Sequence, residues 1–237
     1  MSITEQSLVQ KALRRVRSHG AAAALHFAWL KLINLFVPFK ILRGMVIRAP
    51  RTAFLSCPSP YEPSLLTALT LTRLAQDPAT ELTPHFVRDA LGAGDQCYAI
   101  RHDERLITYG WYSTRPTPTV TPELLLHFGP EYVYMYKGFT ADRYRGRRLH
   151  AIAKSYALRY FLNRGYHGVI SYVESTNFRS LRSNARMGGE NFGTIYLVRL
   201  FGRWFTFATP GCKRFGFHLE VAAPRVSSSA RAASETR

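Results

Sequence analysis

The segment Gly138 to Tyr166, GFTADRYRGRRLHAIAKSYALRYFLNRGY, constrains the fold most, because a strand candidate turns through four arginines and a glycine straight into a helical run. The strand is expected over Glu131 to Thr140 and the helix over about Gly146 to Asn163, with a turn at Arg164 and Gly165 and a further strand from His167 to Val173. Free N–H groups at a helix N-terminus, its dipole, and Arg143, Arg145, Arg147 and Arg148 ahead of Leu149 together suit a pyrophosphate. Gly146 would let the backbone approach that anion closely. The plain alternative is a solvated basic surface, the commoner fate of arginines that open a helix.

Around this unit the chain reads as a mixed α/β pattern on one sheet. RTAFLSC from Arg51 is a short strand candidate, and Tyr61 to Ala75 and Thr83 to Leu91 carry helical periodicity, with Pro84 in a favourable first turn. Gln96 to Arg101 and Leu106 to Thr114 form a hairpin across His-Asp-Glu-Arg, and a Pro-rich link, RPTPTVTP, follows it. A short helix, Asn177 to Met187, ends at Gly188-Gly189, and strands from Thr194 to Leu200 and Trp204 to Ala208 close the order. The domain reading is a basic, mostly helical amphipathic extension over 1–50, the α/β domain over 51–221, and a disordered Ser-, Ala- and Arg-rich tail over 222–237.

Charge narrows the partners. The 237 residues carry 32 Lys and Arg against 15 acids, a formal net charge of +17, which calls for an anionic ligand or surface. Cys57, Cys97 and Cys212 are odd in number and widely spaced, so neither a disulfide framework nor a zinc site is indicated, and a reducing cytoplasm is the expected compartment. Near the N-terminus, Leu25, Trp29, Leu32, Phe36 and Phe39 recur at helical spacing behind the basic cluster Lys11, Arg14, Arg15 and Arg17. His26, Lys31, Asn34 and Pro38 interrupt the apolar run, so a spanning helix is not expected. Two readings stand: an amphipathic helix on the anionic inner face of a membrane, or a helix packed on the domain or a partner.

These motifs resemble the GNAT superfamily of acyl-CoA-dependent N-acyltransferases over roughly Arg51 to Ala208, most clearly Gln96 to Gly189. The family pattern R/Q-x-x-G-x-G/A at the start of the central helix is matched by Arg143-Tyr144-Arg145-Gly146-Arg147-Arg148, the preceding hairpin by CYAIRHDERLITYGWY, and the later Asn, small residue and Gly by Asn177, Ser180 and Gly188. Two departures are visible. Arg148 replaces the last loop glycine, with His150 where many members have a small residue. Asn184 stands where many members carry a tyrosine that protonates the leaving thiolate.

The resemblance implies a GNAT-like, mostly antiparallel mixed sheet flanked by helices, with acyl-CoA as co-substrate and an amine as acceptor. It also implies that the central strand ends in a bulge at Phe139 and Thr140, whose free backbone groups bind pantetheine and polarise the thioester. Direct attack by an amine then needs a base, with Glu131 the first candidate and Glu174 the second, and an acid, for which Ser183 and Tyr136 are candidates. Each has an ordinary alternative as a surface or core residue. On this reading position 184 is vacant, and Asn184→Ala is expected to be mild.

Between Arg143 and Arg214 lie fourteen Lys or Arg and only two acids, Glu174 and Glu190, more cation than CoA needs. With YVYMY, FGRWFTF and the apolar N-terminal run, this surplus motivates a long acyl donor and a lipid or amino-acid acceptor at a membrane surface. Two alternatives remain: a nucleic-acid-binding module, disfavoured because no known binding motif is present, and a degenerate GNAT fold that binds CoA without turnover.

Overall fold

The aromatic run ahead of the basic turn is a strand, and the run after it a helix, in a computed structural model that describes residues 20–119, 121 and 123–221. In chain order the elements are α1 (Ala21–Ile33), β1 (Phe39–Ile47), β2 (Glu62–Leu65), α2 (Ala68–Leu74), α3 (Pro84–Gly92), β3 (Gln96–His102), β4 (Arg105–Ser113), β5 (Thr117–Pro118) and β6 (Leu124–His127). Then come β7 (Tyr132–Thr140), α4 (Leu149–Leu162), β8 (Gly168–Glu174), α5 (Phe178–Arg186), β9 (Glu190–Leu200), β10 (Arg203–Ala208), α6 (Pro210–Lys213) and β11 (His218–Val221). Eight strands form one sheet in the order β10-β9-β1-β8-β7-β4-β3-β2, and a second sheet runs β11-β6-β5. Every pairing is antiparallel except β7 with β8.

Strand alternation sets the layers. Val133 faces α4, in a core with Ile107, Leu149, Ile152, Ala157, Leu158 and Phe161. Its neighbours Tyr132 and Tyr134 face the other way, onto Leu124, Leu126, Phe217 and Leu219 of the small sheet. Alanines 151, 153 and 157 leave little side chain between helix and strands, so α4 lies close over the β8-β7-β4-β3 part of the sheet.

The expected helical extension over 1–50 is corrected in its second half. Pro38 cannot donate to a continuing helix, and Asn34 closes α1 by donating to the Leu30 carbonyl (2.8 Å) while exchanging hydrogen bonds with the Phe39 backbone (2.8 and 3.0 Å). Phe39–Ile47 then enters the sheet between β8 and β9, so the domain begins before residue 51. The cluster Lys11 to Arg17 and the tail 222–237 lie outside the described residues. Two further differences are local. RTAFLSC holds a short 3-10 turn (Thr52–Phe54) instead of a strand, and Tyr61 to Ala75 divides into β2 and α2, because Thr67 caps α2 by accepting from the Thr70 N–H (3.2 Å). The small strands β5 and β6 were not expected. Among the described residues no helix is long and apolar enough to cross a membrane.

Candidate active site

The parallel pairing of β7 with β8 is brief: only Tyr132–Tyr134 lie opposite Gly168–Ile170. Beyond that point β7 stays with β4, and β8 stays with β1 as far as Glu174. The two facing edges therefore diverge into a fork without ladder bonds between them. Backbone groups on such edges need partners from elsewhere. Ser171, just past the branch point on β8, has a buried hydroxyl with no partner among the described residues. On β7 the pairing with β4 shifts register so that Tyr136 is the extra residue between Met135 and Lys137.

This moves the bulge from its expected place. Phe139 is buried and stacks on Tyr109 with ring centroids 5.2 Å apart, and its carbonyl accepts from the Thr108 hydroxyl. The Thr140 carbonyl accepts from Arg145 Nε at 3.2 Å. Neither carbonyl is free, so the open backbone of β7 lies earlier, from Met135 onward.

At the open end of the fork the basic turn leads into α4. Gly146 has φ +84, with open space where a side chain would begin, so backbone conformation is what this position demands. Arg148 also adopts the left-handed region, φ 61, a conformation that favours glycine. No side chain caps α4 and its first turn holds no acid, which leaves its N-terminal N–H groups open to an anion. The arginines divide their work. Arg145 pairs with Asp142 at 2.8 Å, Arg147 donates to the Tyr61 hydroxyl at 3.3 Å, and Arg143 lies over the Tyr144 ring.

The proposed acid and base positions scatter. Glu131 precedes β7 at the closed end of the fork, and nine residues of strand at about 3.3 Å each separate it from the basic turn. Glu174 ends β8 on the open side, in an ion pair with Lys40 at 3.2 Å. Tyr136 donates to buried Asp95 at 2.9 Å; burial holds the Asp95 carboxyl above its usual range and the Tyr136 phenol far above its own, so this proton is not available to a thiolate. Ser183 is half-buried on α5. Asn177 caps α5 by accepting from the Ser180 N–H at 3.1 Å, so capping alone accounts for the Asn177–Ser180 spacing.

Sequence reading missed a polar cluster between α4 and its neighbours. Lys154 is 3% exposed, and its ammonium donates to Asn184 Oδ1 at 2.9 Å, while Asn184 donates to the Ser180 carbonyl at 3.0 Å. Burial lowers the Lys154 pKa from 10.5 to about 8. One turn earlier, His150 lies against Gly138 of β7, and its Nδ1 is 3.2 Å from the Thr108 hydroxyl. That hydroxyl spends its single proton on the Phe139 carbonyl, so it accepts from His150, whose proton therefore sits on Nδ1 and leaves Nε2 bare. Burial, with the Lys154 charge adding to it, pushes the His150 pKa down to about 4. The signal in the sequence was the i, i+4 pair His150 and Lys154 on α4, with His150 against Gly138 and Lys154 against Asn184.

Hairpin, bulged central strand, basic turn, helix, strand and Asn-capped helix stand in the order that the resemblance implies. The fold is GNAT-like. No family model matches the chain, and no curated protein does. Among solved structures it is similar to an acetyltransferase from the GNAT family from Colwellia psychrerythraea, at 14% identity over 72% of this chain and 57% of that one, TM-score 0.47. It is also similar to a GCN5-related N-acetyltransferase-like protein from Streptococcus suis, at 13% identity over 75% of this chain and 68% of that one, TM-score 0.46. A third is AAC(6')-Iy in complex with the bisubstrate analogue CoA-S-monomethyl-acetylneamine, at 15% identity over 55% of this chain and 90% of that one, TM-score 0.43. In several such matches the chain spans less than two thirds of the other protein, down to 52%.

Proposed function

We propose that the chain is an acyl-CoA-dependent N-acyltransferase acting on a primary amine. The observation that supports this reading is the fork, whose open end meets an uncapped, basic helix N-terminus. The pyrophosphate of CoA suits the turn Arg143 to Leu149, and the pantetheine arm suits the unladdered edges from Met135 on β7 and Ser171 on β8. The amine nitrogen attacks the thioester carbonyl, the C–N bond forms and the C–S bond breaks. Glu174, on the open side, takes the amine proton. Lys154, oriented by Asn184, gives a proton to the departing thiolate, and its pKa of about 8 suits that exchange.

Calorimetry with CoA, followed by thiol release from an acyl-CoA in the presence of an amine panel, tests this. Micromolar CoA binding and amine-dependent thiol release are expected. Absence of CoA binding would defeat the reading, and binding without release for any amine would leave a CoA-binding protein.

A membrane-surface setting has its own supporting observation. On α1, Leu25, Trp29, Leu32 and the following Phe36 are exposed, and Trp29 meets Phe39, which stacks on Tyr196. Phe205 and Phe207 stand beside them on β10, an edge strand, with Phe201 fully exposed at the β9–β10 turn. Lys31 on α1 and Arg203 on β10, which shares the face of Phe205 by strand alternation, are exposed. An apolar surface beside cations suits an anionic bilayer, and a long-chain acyl donor or lipid amine would be met there.

A further inference from the structure

The small sheet gathers two histidines and a glutamate that the acyl-transfer chemistry does not use. His127 on β6 and His218 on β11 are direct register partners, and their rings stack with centroids 4.9 Å apart and 13° between planes. Glu220, two residues beyond His218, points to the same face by strand alternation. Its Oε2 lies 3.0 Å from His127 Nε2. One ligand atom from each of the three residues can be chosen so that all lie within 4.8 Å of one another.

An ordinary ion pair explains this poorly. His127 Nε2 is buried and makes no well-aligned hydrogen bond despite its closeness to the carboxylate. His218 Nδ1 stands 2.9 Å from the Gly216 carbonyl, which can only accept, so the proton is on Nδ1 and Nε2 keeps its lone pair. A backbone carbonyl fixing the tautomer of an imidazole is the usual outer support of a metal-bound histidine. Bonds of about 2.0–2.2 Å put tetrahedral donors about 3.4 Å apart, so small side-chain rotations would close the three on one ion.

We propose that His127, His218 and Glu220 bind one divalent transition-metal ion of the zinc class, which staples β11 to β6. Two imidazoles and a carboxylate suit zinc, cobalt or nickel over calcium or magnesium. Cysteine and histidine spacing gave no sign of it, because the ligands come from strands far apart in the chain.

The test uses the untagged full chain, titrated with Zn²⁺ by calorimetry and with Co²⁺ by visible absorption. The expected result is one Zn²⁺ per chain, a rise in melting temperature on loading, and a tetrahedral Co²⁺ spectrum without sulfur charge-transfer bands. His218→Ala and Glu220→Gln, both at exposed positions, should keep the circular dichroism of the parent and weaken Zn²⁺ at least tenfold. His85→Ala, which removes the separate exposed His85–Asp89 pair, should leave affinity unchanged. Equal affinity across all four chains, loss in His85→Ala, or a cobalt–thiolate band would each overturn the assignment.

Discussion

Lys154 carries a charge in a place where water cannot help it, and Asn184 is the partner that offsets part of the cost. Asn184→Ala therefore should not be mild. Leaving a buried ammonium unpaired costs about 1–3 kcal/mol, and thermal unfolding should show a midpoint lower by several degrees. Lys154→Met points the other way. It replaces a buried charge by an apolar chain of similar length, so stability should hold or rise while kcat drops about 10²-fold or more at unchanged CoA affinity. A fall in both stability and CoA binding would mean that Lys154 is only a packing residue. Because the ammonium form is the donor, wild-type kcat should decline as pH rises through about 8, a limb that Lys154→Met lacks. His150 gives a separate stability signature. Its folded pKa of about 4 lies below the ordinary 6.5, so the unfolded chain binds the extra proton first, and stability present above pH 6.5 is lost as pH falls toward 4. Denaturant melts at pH 7 and pH 4 should show His150→Asn losing less over that interval than the parent. Gly146→Val is a third single-site probe: φ +84 is a backbone state that valine resists, so CoA affinity should drop by an order of magnitude or more in calorimetry.

Among the elements, β1 changes what a truncation means. A chain starting at Arg48 loses a central strand and exposes the inner edges of β8 and β9, whereas one starting at Pro38 keeps the sheet. The shorter chain should fail to unfold cooperatively in urea, and the one starting at Pro38 should melt as a two-state protein. That second chain also lacks Lys11 to Arg17, so flotation with anionic vesicles reads the joint contribution of this cluster and α1. If residues 1–37 and the β10 edge together form the lipid surface, removal of the former should weaken binding without abolishing it, and Phe205→Ser with Phe207→Ser should remove the salt-resistant remainder. Vesicle binding indifferent to both changes would leave these aromatics to a protein contact. The elements nearest the basic turn were legible because glycine, arginine and apolar period all changed within a few residues. β1 was not, since FKILRGMVI continues an apolar run whose helical spacing reaches Phe39, and only its pairing with strands much later in the chain makes it a strand. The place of Glu131 was hidden for a related reason: the branch point at Tyr134, which puts it at the closed end of the fork, depends on pairing with β8.

For the whole molecule, a formal charge of +17 acts on every anion before any contact forms. CoA association should slow markedly with added salt while dissociation changes little, and stopped-flow mixing at two ionic strengths would show it. The order of synthesis adds a further demand. β1 (Phe39–Ile47) is made well before both of its neighbours, β8 (Gly168–Glu174) and β9 (Glu190–Leu200). During synthesis at about 5–20 residues per second, that strand waits on the order of 6–30 s for its partners. Long-range pairings of this kind raise contact order and slow the final step of folding. A nascent chain of this protein would thus hold an apolar strand unpaired while all the elements between it and β8 are made, which makes it a natural client for a ribosome-associated chaperone.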